Sequence, residues 1–425
     1  MTIEHVNIAI LGGGITGLGA SCRARELSQD AVIFESRQSV GGLLDNFTID
    51  GFQFDYAVHL SFANKQHVVR KFFDKTDYYT HPSDSFCFEE NLWLKHPVQN
   101  NLFPLPVKQR INLIKSFLFR PKENLKNDYE SWLINQYGEK ISKRYPIRYT
   151  QKYWDTPAKN LSTSWIGNRM RRAKLKEVLF GALSPKTPNH YYTKEMRYPK
   201  NGGFKAFIQP LIDSSDIRTS HHCIEIDTEN KELTFSNGHK VVYKNLVSTL
   251  PLPELVKISK TVQKEALNSA KFLKATSIDL ISVGFNKPLT KDLWFYIYDE
   301  AILASRAYSP SIKSPNNAPK NCSSIQFEFY SRGTESKFTA DELKANTLMA
   351  LKKMKIAKVE DIVVYDHRRI KYGNVIFDLG MEAHRQKVLD WCQGEKIISC
   401  GRFGCWDYFW SHDSFLSGYQ SLDKI

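Results

Sequence analysis

Long apolar runs are missing from this sequence. No uninterrupted apolar stretch reaches the ~18 residues that a bilayer span requires, so stable membrane insertion is not expected. The first residues show no basic run ahead of an apolar one, and therefore no sign of a secretory leader. Cysteine is sparse. The seven residues (Cys22, Cys87, Cys223, Cys322, Cys392, Cys400 and Cys405) are odd in number and scattered, and form no C-x-x-C pair. That argues against a disulfide framework or a thiolate metal site and fits free thiols in a reducing cytoplasm. Acid is outnumbered, with 45 Asp and Glu against 59 Lys and Arg and a formal charge of +14. Such a surface favours polyanions such as nucleotides or phosphorylated substrates. No nucleic-acid motif accompanies the charge, and no internal repeat or low-complexity tract is present.

Glycine in one particular place is what the sequence does have. An apolar run from Val6 to Leu11 leads into Gly12-Gly13-Gly14-Ile15-Thr16-Gly17, and a helix-compatible segment runs on to about Leu27. Gly12, Gly14 and Gly17 fit G-x-G-x-x-G: a tight turn, close approach of a pyrophosphate, and close packing of helix on strand. The pyrophosphate would lie on the free N–H groups of the helix start. A second apolar run, Ala31 to Phe34, ends in Glu35, at the offset where an acid accepts ribose hydroxyls. Gly41-Gly42 follows, and a second glycine pair so soon after the acid suits FAD better than a nicotinamide nucleotide.

At 425 residues the chain has room for two or three structural units. Residues 1–66, 195–275 and 385–425 are expected to form a discontinuous dinucleotide-binding domain, 67–194 a mostly helical domain, and 276–384 an antiparallel-sheet domain. Pro106–Phe119, Tyr129–Tyr137 and Leu161–Leu179 read as helices. Short strands are expected at His221–Asp227, Glu232–Phe235 and Lys240–Tyr243, with Asn237-Gly238 as a hairpin turn and Leu246–Pro251 returning to the core sheet. Thr339 and Glu342 spell a capping box for a helix within the second sheet. Ile397–Gly404 reads as a strand running into glycine, and Ser414–Leu422 as a final helix. Two tempting groupings fail. Ser411-His412-Asp413 are adjacent and cannot form a relay. His221-His222-Cys223 alternate faces on an expected strand and cannot all ligate one metal.

Several stretches together resemble the UDP-galactopyranose mutase family, within the FAD superfamily of amine and protoporphyrinogen oxidases. Asp55-Tyr56-Ala57-Val58-His59 is similar to that family's Asp-x-Gly-Gly-His, and Gln99-Asn100-Asn101 after Pro97 to its Pro-x-Gln-Asn-Asn. Trp165-Ile166-Gly167-Asn168-Arg169 is similar to Trp-x-Gly-x-Arg. Arg306, twelve positions after Trp294, has the spacing of a second diphosphate arginine. Gly401-Arg402-Phe403-Gly404-Cys405-Trp406-Asp407-Tyr408 matches Gly-Arg-Phe-Gly-x-Trp-x-Tyr, the most specific stretch. There are departures: His96 stands where the eukaryotic enzymes have tyrosine, Ala57-Val58 replaces Gly-Gly, and the run from Tyr408 to Phe415 is two residues shorter.

The resemblance implies an α/β fold: a Rossmann-type FAD-binding domain, a helical insertion and a twisted antiparallel substrate sheet. It implies FAD that is active when reduced, with NADH or NADPH as reductant. The substrate would be a nucleoside-diphosphate sugar, converted from pyranose to furanose for surface polysaccharide without net redox, flavin N5 attacking the anomeric carbon. His59, Arg169 and Arg306 would serve catalysis. Around the cofactor would stand Gly12, Gly14, Ile15, Thr16, Gly17, Glu35 and Ser36. Gly41, Gly42, Leu43, His59, Cys223, Gly401, Arg402, Ser414 and Phe415 would complete that set. Around the substrate would stand Phe62, His96, Gln99, Arg169, Trp294, Tyr296, Arg306, Tyr372 and Tyr408. No metal is expected, and a homo-oligomer is. Two arginine forks suit a diphosphate better than lysines do. The rival reading is an FAD-dependent oxidoreductase of the amine oxidase or protoporphyrinogen oxidase type; a third is a flavin- or nucleotide-binding protein without catalysis.

Overall fold

The computed structural model describes residues 3–121, 127–167, 170, 173–188, 195–290 and 292–425. The Val6–Leu11 run lies in β1 (Glu4–Leu11) at the centre of a seven-stranded sheet. Parallel partners flank it: the strand Lys240–Ser248 on one side and β2 (Ala31–Phe34) on the other. Ile8, Ala9 and Ile10 are fully buried, as expected for a parallel strand covered on both faces. Beyond β2 lies Asp216–Arg218, and Ile397–Ser399 pairs with Lys240–Ser248. The expected hairpin is present: Glu232–Phe235 runs antiparallel to Lys240–Ser248 across Asn237-Gly238, with Gly238 at φ +83°. The third short strand begins at Cys223, two residues later than expected, and Lys240–Tyr243 and the returning strand are one continuous element.

The second sheet also has seven strands. Thr276–Phe285 pairs with Ile362–Ile370 and with Ser323–Arg332, which leads through Arg306–Tyr308 to Trp294–Ile297, all antiparallel. Helix Ala340–Lys353 connects two of these strands and carries the Thr339/Glu342 capping box. The region expected to be mostly helical departs from that reading near its start. Tyr78–Pro82 pairs with Glu195–Pro199, and Phe86–Glu89 with Leu92–Lys95 extends the second sheet, the former parallel to Trp294–Ile297. Aromatic side chains pairing across strands explain the strand choice there: Trp93 packs on Phe88 and Phe295 at 5.1 and 5.0 Å. The helices Val107–Leu118 and Tyr129–Tyr137 form as expected. The expected helix from Leu161 does not begin there. Leu161 is tied into a bridge with Asp378, and the described helix is Leu175–Leu183.

The first and last helices lie against one another. A side chain at Gly19 of α1 (Ile15–Glu26) would meet the Phe415 carbonyl oxygen at 2.4 Å. One at Gly418, in the helix Ser411–Ser421, would meet the Thr16 carbonyl oxygen at 1.9 Å. Glycine at both positions lets the two backbones touch. The contact brings the segment after Cys400 to the start of α1.

Candidate active site

The glycine loop leaves β1 with Gly12 at φ +105°, its amide bonded to the Phe34 carbonyl at 2.9 Å. A side chain at Gly17 would strike the Gly12 carbonyl oxygen at 2.1 Å, so this glycine serves helix packing. Gly14 precedes α1 with no side-chain cap. Among the described residues, its one neighbour within 4 Å on the Cβ side is the Gly42 Cα, at 3.9 Å. Gly42, at φ +60°, faces it in turn. The two glycines leave bare backbone beside the helix N-terminus. Glu35 is buried beside them, accepting the Gly13 amide at 2.7 Å and the Arg37 amide at 2.9 Å.

A cavity of about 600 Å³ opens from this loop and runs between the two sheets and the helices. At its near end it is lined by Gly12, Gly14, Ile15, Thr16, Glu35 and Ser36, then by Gly41, Gly42 and Leu43, with Arg402 and Ser414 alongside. His59 and Phe62 line its middle. His96, Gln99, Trp294, Tyr296, Arg306 and Tyr408 line the far part. Residues separated by hundreds of positions thus share one space.

Arg306 stands in the far wall with Glu328 as its ion-pair partner. Its Nη2 donates to the Tyr330 hydroxyl at 3.1 Å, and its guanidinium lies 5.3 Å from the Tyr153 ring. Burial opposes the charge, but Glu328 and the surrounding tyrosines outweigh it and hold the guanidinium protonated. Glu328 is fully buried, and its other oxygen accepts the Val58 amide at 2.8 Å. The strand bearing Arg306 is thereby tied to the segment carrying His59.

His59 follows Ala57, which sits at φ +74°, a conformation costly for a residue with a Cβ. Ala57 occupies the first of the two positions where the resembled family has glycine. The His59 Nδ1 lies 3.1 Å from the Ala57 carbonyl, so Nδ1 carries the hydrogen and Nε2 keeps its lone pair. Burial holds the imidazole down to about 4, against the pull of Asp55 and Glu328. The His96 ring, 4.6 Å from that of Tyr296, is likewise held down to about 4 by burial. Behind His59, Asp55 and Lys313 form an ion pair with no exposed surface. Asp55 also accepts the Tyr198 hydroxyl at 2.8 Å and the Phe204 amide at 3.0 Å, while Lys313 lies between the Tyr198 and Tyr308 rings at 4.3 and 4.4 Å.

Arg402 donates to the Phe409 carbonyl at 2.8 Å and to Asn374 Oδ1 at 2.6 Å, and lies 4.8 Å from the Tyr408 ring. The Tyr153 hydroxyl shares the same Asn374 oxygen at 3.3 Å and meets the Tyr408 hydroxyl at 3.1 Å. Two buried donors on residues that line the cavity, Arg402 Nε and Asn374 Nδ2, find no acceptor among the described residues. Unpaired buried donors are costly, and a ligand with polar ring edges or phosphates would satisfy them. The bare Gly14/Gly42 backbone, the uncapped helix start and Glu35 fit a dinucleotide, and the two orphaned donors fit polar atoms at its far end.

Other expected residues lie off the cavity. Gly17 and Gly401 act as packing positions; a side chain at Gly401 would meet Thr16 Oγ1 at 2.4 Å. Cys223 is buried on its own strand, and Phe415 is fully buried against Phe72 and Tyr419. The Tyr372 hydroxyl is turned to Glu254, at 2.8 Å, outside the lining. Arg169 lies outside the described residues. Sequence reasoning overlooked Glu328, Asn374, Lys313 and Tyr153, and also Tyr149, which lines the cavity with its ring 5.3 Å from that of Tyr296. Glu328 did carry a signal: it is the lone acid in Ile325-Gln-Phe-Glu-Phe-Tyr330, a run that a buried strand explains only if the acid is paired. Among the described residues no group of three or more His, Cys, Asp or Glu could hold a metal, and no helix is long and apolar enough to cross a membrane.

Residues 10–76 match the family model of an NAD(P)-binding Rossmann-like domain. A desaturase of Staphylococcus aureus (strain MRSA252), 4,4'-diapophytoene desaturase (4,4'-diaponeurosporene-forming), is 27% identical over 101 residues. That match covers 19% of this chain and spans only 20% of the desaturase. Wild-type putrescine oxidase bound to putrescine matches in structure over 100% of both chains, with a TM-score of 0.64 at 14% identity, a likeness of fold alone. The fold is a mixed α/β fold built on a Rossmann-type domain. Over the whole chain it is similar to UDP-galactopyranose mutase: the reduced mutase superposes with a TM-score of 0.92 at 26% identity, covering 98% of this chain and 95% of the mutase.

Proposed function

We infer that this chain is an FAD-dependent mutase converting a nucleoside-diphosphate pyranose to the furanose. The observation that carries the reading is Arg306: a charge held in the wall of the same cavity that opens on the Gly14/Gly42 cradle. Bound and reduced, FAD would supply the nucleophile for the anomeric carbon. The chain's own residues do the rest. Arg306 and the hydroxyls of Tyr153 and Tyr408 provide a cation and neutral donors for a diphosphate. A preformed cation stabilises charge developing on a departing diphosphate without reorganisation. His59, neutral at neutral pH, offers Nε2 as an acceptor in the middle of the cavity. Glu35 would take the ribose hydroxyls of the cofactor, and Arg402 and Asn374 its polar ring edge. Arg169 would supply the second diphosphate cation, and NADH or NADPH the electrons. A furanose donor for surface polysaccharide, made in the cytoplasm, is the product this reading implies.

The test is turnover by the dithionite-reduced protein of a panel of sugar nucleotides, headed by UDP-galactopyranose, with furanose product read by chromatography. Expected is furanose from at least one substrate with reduced flavin and none with oxidised flavin. The reading is overturned by no conversion of any sugar nucleotide with the flavin fully reduced. Peroxide release on turnover of an amine or a polyene would identify an oxidoreductase instead.

A further inference from the structure

Outside the cavity, three contacts lie in a row along the first sheet. His221 Nδ1 is 2.7 Å from the Thr219 carbonyl oxygen. His221 Nε2 is 3.1 Å from His239 Nδ1. His239 Nε2 is 3.2 Å from Glu4 Oε2. Both ends of the row, a carbonyl and a carboxylate, can only accept. Each neutral imidazole has one N–H, and each end of the row claims one. The middle contact is then two nitrogen lone pairs facing each other at 3.1 Å. A cation between them resolves that repulsion.

The rings are held in place without it. His221 packs on Phe34 and Phe235 at 5.7 and 5.2 Å, and His239 stacks on Phe235 at 6.0 Å. The loop and the hairpin bearing them are joined by Asn237 Nδ2 to the Ser220 carbonyl at 3.2 Å and by the Ser236 amide to the His222 carbonyl at 2.8 Å. Metal-ligating histidines characteristically give their second N–H to a carbonyl or a carboxylate, and here one does each. Two metal–nitrogen bonds of ~2.0–2.1 Å at a tetrahedral angle set the nitrogens about 3.3 Å apart, within a few tenths of the observed gap. Both rings are partly exposed, so water can complete the coordination.

We propose that His221 Nε2 and His239 Nδ1 form a two-imidazole site for a borderline transition-metal ion such as Zn²⁺, Ni²⁺ or Cu²⁺, with Glu4 and the Thr219 carbonyl orienting the rings. Imidazole ligands select these ions over Mg²⁺ and Ca²⁺. The site is independent of the sugar-nucleotide reading: neither histidine lines the cavity.

The experiment is calorimetric titration of the untagged full chain with Ni²⁺ and with Zn²⁺, in wild type and in His221→Gln, His239→Gln, Glu4→Gln and His222→Gln. Expected is one equivalent bound in wild type and in H222Q, loss of that equivalent in H221Q and H239Q, and binding weakened about 10-fold or more in E4Q. Binding that is unchanged in both H221Q and H239Q overturns the proposal. So does a site that takes a proton only: no metal uptake, with imidazole NMR resonances showing one proton shared by the pair. If H221Q and H239Q fail to fold, E4Q decides: metal affinity equal to wild type refutes the assigned role of Glu4 and, with it, the site.

Discussion

Glu328 bonds Arg306 with one carboxylate oxygen and the Val58 amide with the other, the second contact at 2.8 Å. One buried acid thus fixes both a cation in the cavity wall and the backbone next to His59.

Removing either partner of that pair should therefore have two effects. Arg306→Ala leaves Glu328 buried and unpaired, which costs roughly 3–5 kcal/mol, and it removes the cation assigned to the diphosphate. Expected are a lowered urea midpoint and a fall of about 100-fold or more in kcat/KM. Arg306→Met combined with Glu328→Gln should recover most of the stability and none of the activity. Recovery of both would show that Arg306 only balances Glu328.

Acid should destabilise the protein in a defined window. The folded-state value for both His59 and His96 is about 4, below the ordinary 6.5. Between these values the unfolded chain binds more protons, so stability rises with pH from about 4 to 6.5 and is lost as pH falls through that range. Each ring contributes at most about 3 kcal/mol, less where cavity water reaches it. Thermal midpoints measured from pH 4 to 8 should show a shallower slope in His59→Asn and again in His96→Asn. An unchanged slope in both would mean that these rings titrate normally.

Gly14 separates folding from cofactor binding. Its backbone, at φ −77° and ψ 177°, suits any residue, and its added Cβ would meet nothing closer than 3.9 Å. Gly14→Ala should fold with the stability of the flavin-free wild type yet retain little flavin, read as absorbance near 450 nm after gel filtration. Full flavin retention would place the dinucleotide elsewhere.

Lys313 is tested by the same kind of balance. Lys313→Met strands Asp55 without exposed surface and should cost roughly 3–5 kcal/mol in urea unfolding. Adding Asp55→Asn should return much of that loss. If the single variant unfolds like wild type, Asp55 is satisfied by Tyr198 and Phe204 alone.

The dinucleotide half of the site was legible because its chemistry is local. Gly12, Gly14 and Gly17 fall within six consecutive residues, and Glu35 follows just after the next strand. Arg306 and Tyr408 were legible only through resemblance, since nothing in their own neighbourhoods requires a ligand. Tyr149, Tyr153 and Asn374 were not legible: tyrosine is abundant here, and their meeting depends on how a helix, a sheet and the C-terminal segment pack. The strands at 78–95 were missed for a related reason. Tyr78–Pro82 and Phe86–Glu89 have partners, Glu195–Pro199 and Trp294–Ile297, a hundred or more positions downstream, and short mixed sequences take strand form from such partners; Leu92–Lys95 pairs locally, with Phe86–Glu89.

The approach of Gly19 to Phe415 and of Gly418 to Thr16 bears on the order in which the protein is made. Ribosomes deliver the glycine loop first, yet α1 gains its close backbone contact with the helix Ser411–Ser421 only when that helix emerges. Arg402 and Ser414, which stand beside the loop in the cavity, also arrive in the last stretch of synthesis. Arg402 and Ser414 therefore join the cavity lining only after nearly the whole chain has been translated, and a nascent chain stalled before residue 400 lacks both.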